Sequence, residues 1–190
     1  MFALLVIDMQ IGCFSGCLPR WDADGTVFRI NQLARFVRPQ GPVIFVQHTD
    51  PREGLAKGSK PWHLLDSLEY THGDTIVEKT ACDAFLETEL ESVLKSQSAT
   101  NLIITGCATD FCVDTTIRSA CSHGFNVKVP NDAHTTRDRP HLDAGKIVEH
   151  HNYMWTNLLL PGGAKVHVLP TSELLQELRH GNPLTEPSFG

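Results

Sequence analysis

Three side chains with complementary chemistry stand where apolar stretches of the sequence end. Asp8, Lys79 and Cys112 each come at or shortly after the end of a short aliphatic run. A carboxylate next to a buried strand needs a nearby cation to offset its desolvation, and a lysine can supply one. A thiol beside such a pair could act as a nucleophile, with the carboxylate as its base. The three residue types therefore indicate covalent catalysis, provided that the fold brings them together.

The segment around Cys112 predicts an activated thiol. Residues 106–113 read Gly-Cys-Ala-Thr-Asp-Phe-Cys-Val, and a helical spacing continues through Ile117. Thr109 and Asp110 could both cap the start of this helix. A thiol in the first helical turn feels the positive end of the helix dipole, which favours the thiolate. We therefore expect Cys112 to be a thiolate nucleophile.

The elements that must position these residues alternate along the chain. Short buried-strand patterns occur at 3–7, 43–47, 75–77, 102–105, 127–129 and 165–168, and helical spacings lie between them at 27–37, 86–94, 113–121 and 174–178. Such alternation predicts a three-layer α/β domain with a mostly parallel sheet. In such a sheet ligands bind at the carboxyl ends of the strands, so we expect the three side chains at one edge.

The chain shows no internal repeat and no long linker, so we expect one domain over residues 1–180 and a flexible tail over 181–190. The stretch 49–73 contains several Gly and Pro residues and no clear periodicity. Loops of this length in a compact domain usually have a function, so we expect it to form a wall or lid of the site.

Composition excludes several classes of partner. The chain has 16 Lys+Arg and 22 Asp+Glu, a net charge of −6, and no basic stretch, so we expect no nucleic acid partner. No apolar run approaches the ~20 residues of a membrane span, and no signal segment is recognisable, so we expect no membrane and a cytoplasmic location.

The six cysteines are too sparse for a disulfide scaffold, and reduced thiols fit best. Cys13 and Cys17 lack the second pair that a metal site would need, so we expect no metal.

Four segments together resemble one known family. They are Val6-Ile7-Asp8-Met9-Gln10, Glu78-Lys79 followed by 84–90, the Cys112 segment 106–113, and Asn131-Asp132-Ala133. In this order they resemble the isochorismatase-like cysteine hydrolases, from residue 3 to about residue 170. The resemblance implies a Rossmann-like fold with a six-stranded parallel sheet. It also implies that Asp8, Lys79 and Cys112 form the catalytic set.

The resemblance further implies how the site works. It predicts a cis peptide bond between Cys107 and Ala108, and an oxyanion hole made by the backbone N–H groups of Ala108 and Cys112. The implied reaction cleaves a C–N bond of a small amide, carbamoyl compound or lactam through a thioester acyl-enzyme, without a cofactor. The family also implies a homo-oligomer, either a dimer or a tetramer, for which the segment around His151 and Trp155 is the candidate contact.

The sequence also allows alternative functions. A vinyl-ether hydrolase of the isochorismatase type would need a basic pocket, for which Arg52, Lys57 and Lys60 are the obvious suppliers. A non-catalytic or redox-sensing member of the fold is a further alternative. The stretch 46–51 lacks the Asp-x-His element of nicotinamidases, which argues against that activity and its metal. Phe14, Trp62 and Phe111 are the predicted substrate-binding walls.

Overall fold

Seven parallel strands form the central sheet of the computed structural model, which describes residues 1–16 and 18–180. The strands are β1 (Phe2–Ile7), β2 (Val43–His48), β3 (Thr75–Lys79), β4 (Asn101–Cys107), β5 (Asn126–Pro130), β6 (His134–Thr135) and β7 (His167–Leu169). Their order is β3-β2-β1-β4-β5-β7, and β6 pairs with the end of β4. The predicted parallel sheet is confirmed, and only the two-residue β6 lacked a signal in the sequence. The predicted tail 181–190 and Cys17 lie outside the described residues.

Strand β1 lies at the centre of the sheet, between β2 and β4. Leu5 pairs with Ile44 on one side and with Ile104 on the other. Residues 3–7 are fully buried, and successive side chains enter opposite cores, so that Leu5 belongs to one cluster and Val6 to the other. This explains why the segment is apolar throughout instead of alternating with polar residues.

Helices cover both faces of the sheet. They are α1 (Ile11–Phe14), α2 (Ala23–Val37), α3 (Leu90–Ser96), α4 (Asp114–Ser122), α5 (Ala144–Thr156) and α6 (Thr171–Arg179). Side chains of α2 and α6 pack in one core, and those of α3, α4 and α5 pack in the other. The predicted three-layer architecture is therefore confirmed. None of the described helices has the length and apolar character that a membrane crossing requires.

Helix α3 is shorter than its sequence pattern predicted. The spacing placed Leu86 on the helix, but α3 begins at Leu90 and Leu86 is largely exposed. Glu87 adopts a left-handed backbone with φ +54°, which interrupts any helix at this point. The Thr88 hydroxyl then accepts a hydrogen bond from the Leu90 amide at 3.2 Å and fixes the start of α3.

The long segment 49–73 is anchored next to the carboxyl edge of the sheet. It contains two short 3₁₀ turns, Pro51–Glu53 and Lys60–Trp62. The buried side chain of Gln10 donates from Nε2 to the carbonyl of Trp62 at 2.8 Å and to that of His48 at 3.0 Å. The segment therefore lies against the strand ends as a fixed wall.

Candidate active site

Asp8, Lys79 and Cys112 meet at the carboxyl edge of the sheet. Asp8 directly follows β1, Lys79 is the last residue of β3, and Cys112 lies in a π-helical turn, Thr109–Val113, between β4 and α4. Lys79 Nζ lies 2.8 Å from Asp8 Oδ2 and 3.3 Å from Cys112 Sγ. Asp8 and Lys79 are buried, while Cys112 is half-buried. Three distant parts of the chain thus bring an acid, an ammonium and a thiol into contact.

The ammonium of Lys79 contacts four groups with its three protons. Besides Asp8 and Cys112, its neighbours are the carbonyl oxygen of Ala81 at 2.9 Å and His48 Nδ1 at 3.3 Å. Burial opposes the charge, but the carboxylate of Asp8 and the sulfur of Cys112 outweigh it, and the pKa of Lys79 is raised. Lys79 is therefore a permanent cation at the centre of the site.

His48 is a neutral neighbour of this cation. Burial, followed by the charge of Lys79, lowers the pKa of its imidazole. A neutral ring can offer Nδ1 as an acceptor to the ammonium of Lys79. No motif of the sequence analysis pointed to His48 as a neighbour of this lysine.

The backbone holds Asp8 in an uncommon conformation. Its φ is +50°, in the left-handed region that costs a non-glycine residue roughly 1–2 kcal/mol. The Asp8 amide donates to the carbonyl of Val46 at 2.9 Å, and its own carbonyl accepts from Cys107 Sγ at 3.1 Å. Within the described residues, the buried Oδ1 of Asp8 has no hydrogen-bond partner. One carboxylate oxygen thus binds Lys79 and the other is available to accept a proton.

The environment of Cys112 disfavours its thiolate. Burial and, after it, the negative charge of Asp8 raise the pKa of Cys112 far above that of an ordinary cysteine, and Lys79 offsets only part of this effect. The sequence predicted a thiolate from the helix start and the neighbouring cation. The direction of the pKa shift opposes that prediction, because burial and the charge of Asp8 both disfavour the thiolate.

The sequence predicted that Thr109 and Asp110 cap the helix, but in the structure they do not. In the part of the chain that the structure describes, neither the π turn nor α4 has a side-chain cap hydrogen bond at its start. The Thr109 hydroxyl instead lies 2.9 Å from His134 Nδ1, and Asp110 accepts hydrogen bonds from Arg139 Nε at 2.8 Å and from the Thr136 hydroxyl at 2.6 Å. Both residues thus tie the turn to the segment that contains β6. Sequence reasoning missed His134 and Arg139, since their partners are more than twenty positions away.

The backbone before Cys112 has the expected form. The peptide bond between Cys107 and Ala108 is cis. Gly106, with φ +112°, pairs with Ile7, and a Cβ atom at this position would lie 2.1 Å from the Ile7 carbonyl oxygen. Within residues 1–16 and 18–180 no backbone oxygen accepts the Ala108 amide. This amide is therefore available as a donor beside the thiol.

The three predicted wall residues occupy different environments. Phe111 is half-exposed next to Cys112, with the guanidinium of Arg139 stacked 4.9 Å from its ring centre. Phe14 ends α1 and lies under the guanidinium of Arg20 at 5.1 Å. Trp62 is buried, and its Nε1 donates to the Thr49 hydroxyl at 2.8 Å. The exposed ring of Phe111 is thus accessible to a substrate, whereas the buried Trp62 holds the segment 49–73 in place.

Known proteins share the sequence pattern and the fold of this chain. Residues 2–166 match the Isochorismatase domain family. The chain belongs to the isochorismatase family. A solved structure of an isochorismatase family protein superposes on it with a TM-score of 0.80 at 34% identity, covering 88% of this chain and 97% of that one.

Two curated proteins share more limited segments with this chain. A streptothricin hydrolase from Streptomyces noursei is 32% identical over 140 residues, which cover 73% of this chain and 56% of that protein. A ureidoacrylate amidohydrolase from Agrobacterium fabrum is 38% identical over 66 residues, covering 35% of this chain and 29% of its own length. The matched residues thus span little more than half of the first relative and under a third of the second.

Proposed function

We propose that this isochorismatase-family chain is a cysteine hydrolase that cleaves a C–N bond of a small amide, carbamoyl compound or lactam. Asp8, Lys79 and Cys112 are its catalytic residues, and the intermediate is a thioester on Cys112. The observation that carries the proposal is the position of the Lys79 ammonium, 2.8 Å from the Asp8 carboxylate and 3.3 Å from the Cys112 sulfur. A buried ion pair adds little net stability because its desolvation is costly, so a buried cation in contact with both a base and a nucleophile indicates a catalytic site.

Attack begins with a proton transfer. Because Cys112 is a thiol at rest, its proton passes to Asp8 as the sulfur bonds to the carbonyl carbon of the substrate. Lys79 keeps its charge and stabilises the developing negative charge on sulfur. The carbonyl oxygen becomes an oxyanion, and the N–H groups of Ala108 and Cys112 hold it.

Collapse of this intermediate expels the nitrogen. Protonated Asp8 returns its proton to the departing amine, the C–N bond breaks, and a thioester remains on Cys112. Asp8 then removes a proton from water, which attacks the thioester carbonyl. As the C–S bond breaks, protonated Asp8 returns this proton to the sulfur of Cys112. The products are a carboxylic or carbamic acid and the free thiol, so that Asp8 acts in turn as base, acid, base and acid.

The names of two relatives support the substrate class. One relative is a streptothricin hydrolase and another a ureidoacrylate amidohydrolase. Both names describe hydrolysis, and the second describes cleavage of an amide, which agrees with the thiol chemistry above. We include in the proposal that Phe111 and Phe14 contact the substrate, that Trp62 fixes the wall behind it, and that the chain works as a homo-oligomer in a reducing cytoplasm. In the predicted contact segment around His151 and Trp155, Trp155 is fully buried and cannot meet a second copy, whereas Tyr153 and the neighbouring Leu142 are exposed and support self-association.

A panel of primary amides, carbamoyl compounds and cyclic imides tests the proposal directly. We expect turnover of at least one compound by the wild type, and a loss of at least about 1,000-fold in Cys112→Ala and in Asp8→Asn. Cys121→Ala is the matched control, because Cys121 is also a half-buried free thiol but lies in α4 away from Lys79. Wild-type rates in Cys112→Ala would contradict the proposal.

A further inference from the structure

A buried chain of hydrogen bonds connects α5 to the turn that carries Cys112. His134 in β6 is fully buried, with Nδ1 2.9 Å from the Thr109 hydroxyl and Nε2 3.0 Å from Asn152 Oδ1 in α5. The Asn152 amide group donates in turn from Nδ2 to the carbonyl of Asn131 at 2.9 Å. Both ring nitrogens of His134 are thus in use.

The partners determine which atom donates and which accepts in each of these hydrogen bonds. Since the NH₂ group of Asn152 is used on a backbone carbonyl, its oxygen faces His134 and accepts the proton of Nε2. A neutral ring with its proton on Nε2 has a lone pair on Nδ1, and the hydroxyl of Thr109 therefore donates to it. Burial lowers the pKa of His134 to about 4, so the ring is neutral at ordinary pH.

A second contact holds the other end of the turn. The Trp155 ring, also in α5, packs edge-on against His134 at 5.0 Å, and its Nε1 donates to Asp114 Oδ1 at 2.8 Å. Thr109 and Asp114 stand on either side of Cys112 in the sequence. Helix α5 therefore holds the turn at two points, one of them through His134.

We propose that His134 is a positioning residue of the reaction, which acts through Thr109. By accepting the Thr109 hydroxyl it keeps the π turn in the place where the Cys112 sulfur meets Lys79 and the Ala108 amide meets the oxyanion. This inference rests on the proposed function. A displacement of the thiol by about 1 Å is enough to lower the rate by about 100-fold.

Two amide substitutions separate the two bonds of His134. The side-chain oxygen of asparagine takes the place of Nδ1, so His134→Asn keeps an acceptor for Thr109 and loses the bond to Asn152. The side-chain nitrogen of glutamine takes the place of Nε2, so His134→Gln keeps the bond to Asn152 and leaves Thr109 without its acceptor. Thr109→Val removes the same bond from the other side with little change of shape.

The experiment measures kcat and KM on the panel compound that the wild type hydrolyses best. We expect kcat to fall about 100-fold in His134→Gln and in Thr109→Val, with KM changed less than about 3-fold. In His134→Asn we expect kcat and KM to stay within about 5-fold of the wild-type values. Thr105→Val is the control for a lost buried hydroxyl, because the Thr105 hydroxyl donates to the Leu5 carbonyl at 2.8 Å, away from the turn. Circular dichroism and thermal unfolding verify that each variant is folded.

The outcomes are distinct. Near wild-type kcat in His134→Gln and Thr109→Val would overturn the inference. Losses of kcat in His134→Asn and Thr105→Val as large as those in His134→Gln and Thr109→Val would also overturn it. Either result would leave the proposed function standing. If either variant fails to fold, the other decides, since they remove the same bond. If the wild-type chain hydrolyses no compound of the panel, the proposed function fails and the inference fails with it.

Discussion

The protonation state of Cys112 sets the chemistry at the scale of single residues. The pKa of the thiol is raised by burial and by Asp8, and the pKa of Lys79 is raised as well, so the site favours the protonated form of both groups. Such a site does not expose a reactive thiolate to chance electrophiles. The nucleophile forms only when Asp8 takes the proton during attack.

Thiolate absorbance near 240 nm tests this description. We expect the difference between wild type and Cys112→Ala to stay flat from pH 6 to pH 9, because the thiol remains protonated throughout that range. An ordinary cysteine with a pKa near 8.5 would give a step within it. A step centred at or below pH 7 would show a resting thiolate and contradict the assignment.

Removal of the cation tests the buried pair of Asp8 and Lys79. We expect Lys79→Met to lower the free energy of unfolding by about 3 kcal/mol, because the carboxylate of Asp8 then stays buried without a partner. Adding Asp8→Asn removes that charge and recovers part of the loss. Urea denaturation measures both effects, and losses that simply add in the double variant would show that the two groups do not interact.

At the scale of elements, the close approach of β1 and β4 defines the site. Gly106 pairs with Ile7 directly before Asp8 and two residues before Ala108. A side chain at Gly106 would meet the backbone of Ile7 and separate the two strands at the catalytic edge.

We expect Gly106→Ala to lower the free energy of unfolding by at least about 3 kcal/mol, since it combines a backbone clash with an unfavourable φ of +112°. Gly124→Ala is the matched control. Its φ of +81° is also positive, but no atom lies within 4 Å of the added methyl group, so we expect a loss of about 1 kcal/mol. Equal stabilities of the two variants in urea denaturation would contradict the clash.

The sequence predicted elements better than it predicted their ends. Apolar runs such as 3–7 identify strands because both faces of a parallel sheet are buried, and this also located Asp8 and Lys79 at strand ends. The π turn and the two-residue β6 depend on hydrogen bonds between distant segments, and the late start of α3 depends on the left-handed backbone at Glu87. Neither the role of Thr109 nor the neutrality of the Cys112 thiol could be predicted, because both result from tertiary neighbours.

At the scale of the whole molecule, the buried imidazole of His134 couples folding to pH. Above pH 6.5 the ring is neutral in both the folded and the unfolded chain, so it adds no pH dependence. Between pH 6.5 and about 4 the unfolded chain binds a proton that the folded protein excludes, and the stability falls by up to roughly 3 kcal/mol.

Comparison with His134→Asn isolates this effect. The asparagine does not titrate, so we expect the difference in unfolding free energy between wild type and variant to shrink as the pH falls from 6.5 to 4. Urea denaturation at several pH values measures it, and carboxylates common to both proteins cancel in the difference. A constant difference over this range would contradict the burial of a neutral imidazole.

The proposed reaction depends on a covalent bond between Cys112 and the substrate carbonyl carbon. Intact-protein and peptide mass spectrometry after rapid acid quenching with a turned-over amide tests it most directly. We predict a mass increase equal to the acyl group of that amide, on the peptide containing Cys112, present in wild type and absent in Cys112→Ala. Turnover without any adduct on this peptide, together with undiminished activity of Cys112→Ala, would contradict the account.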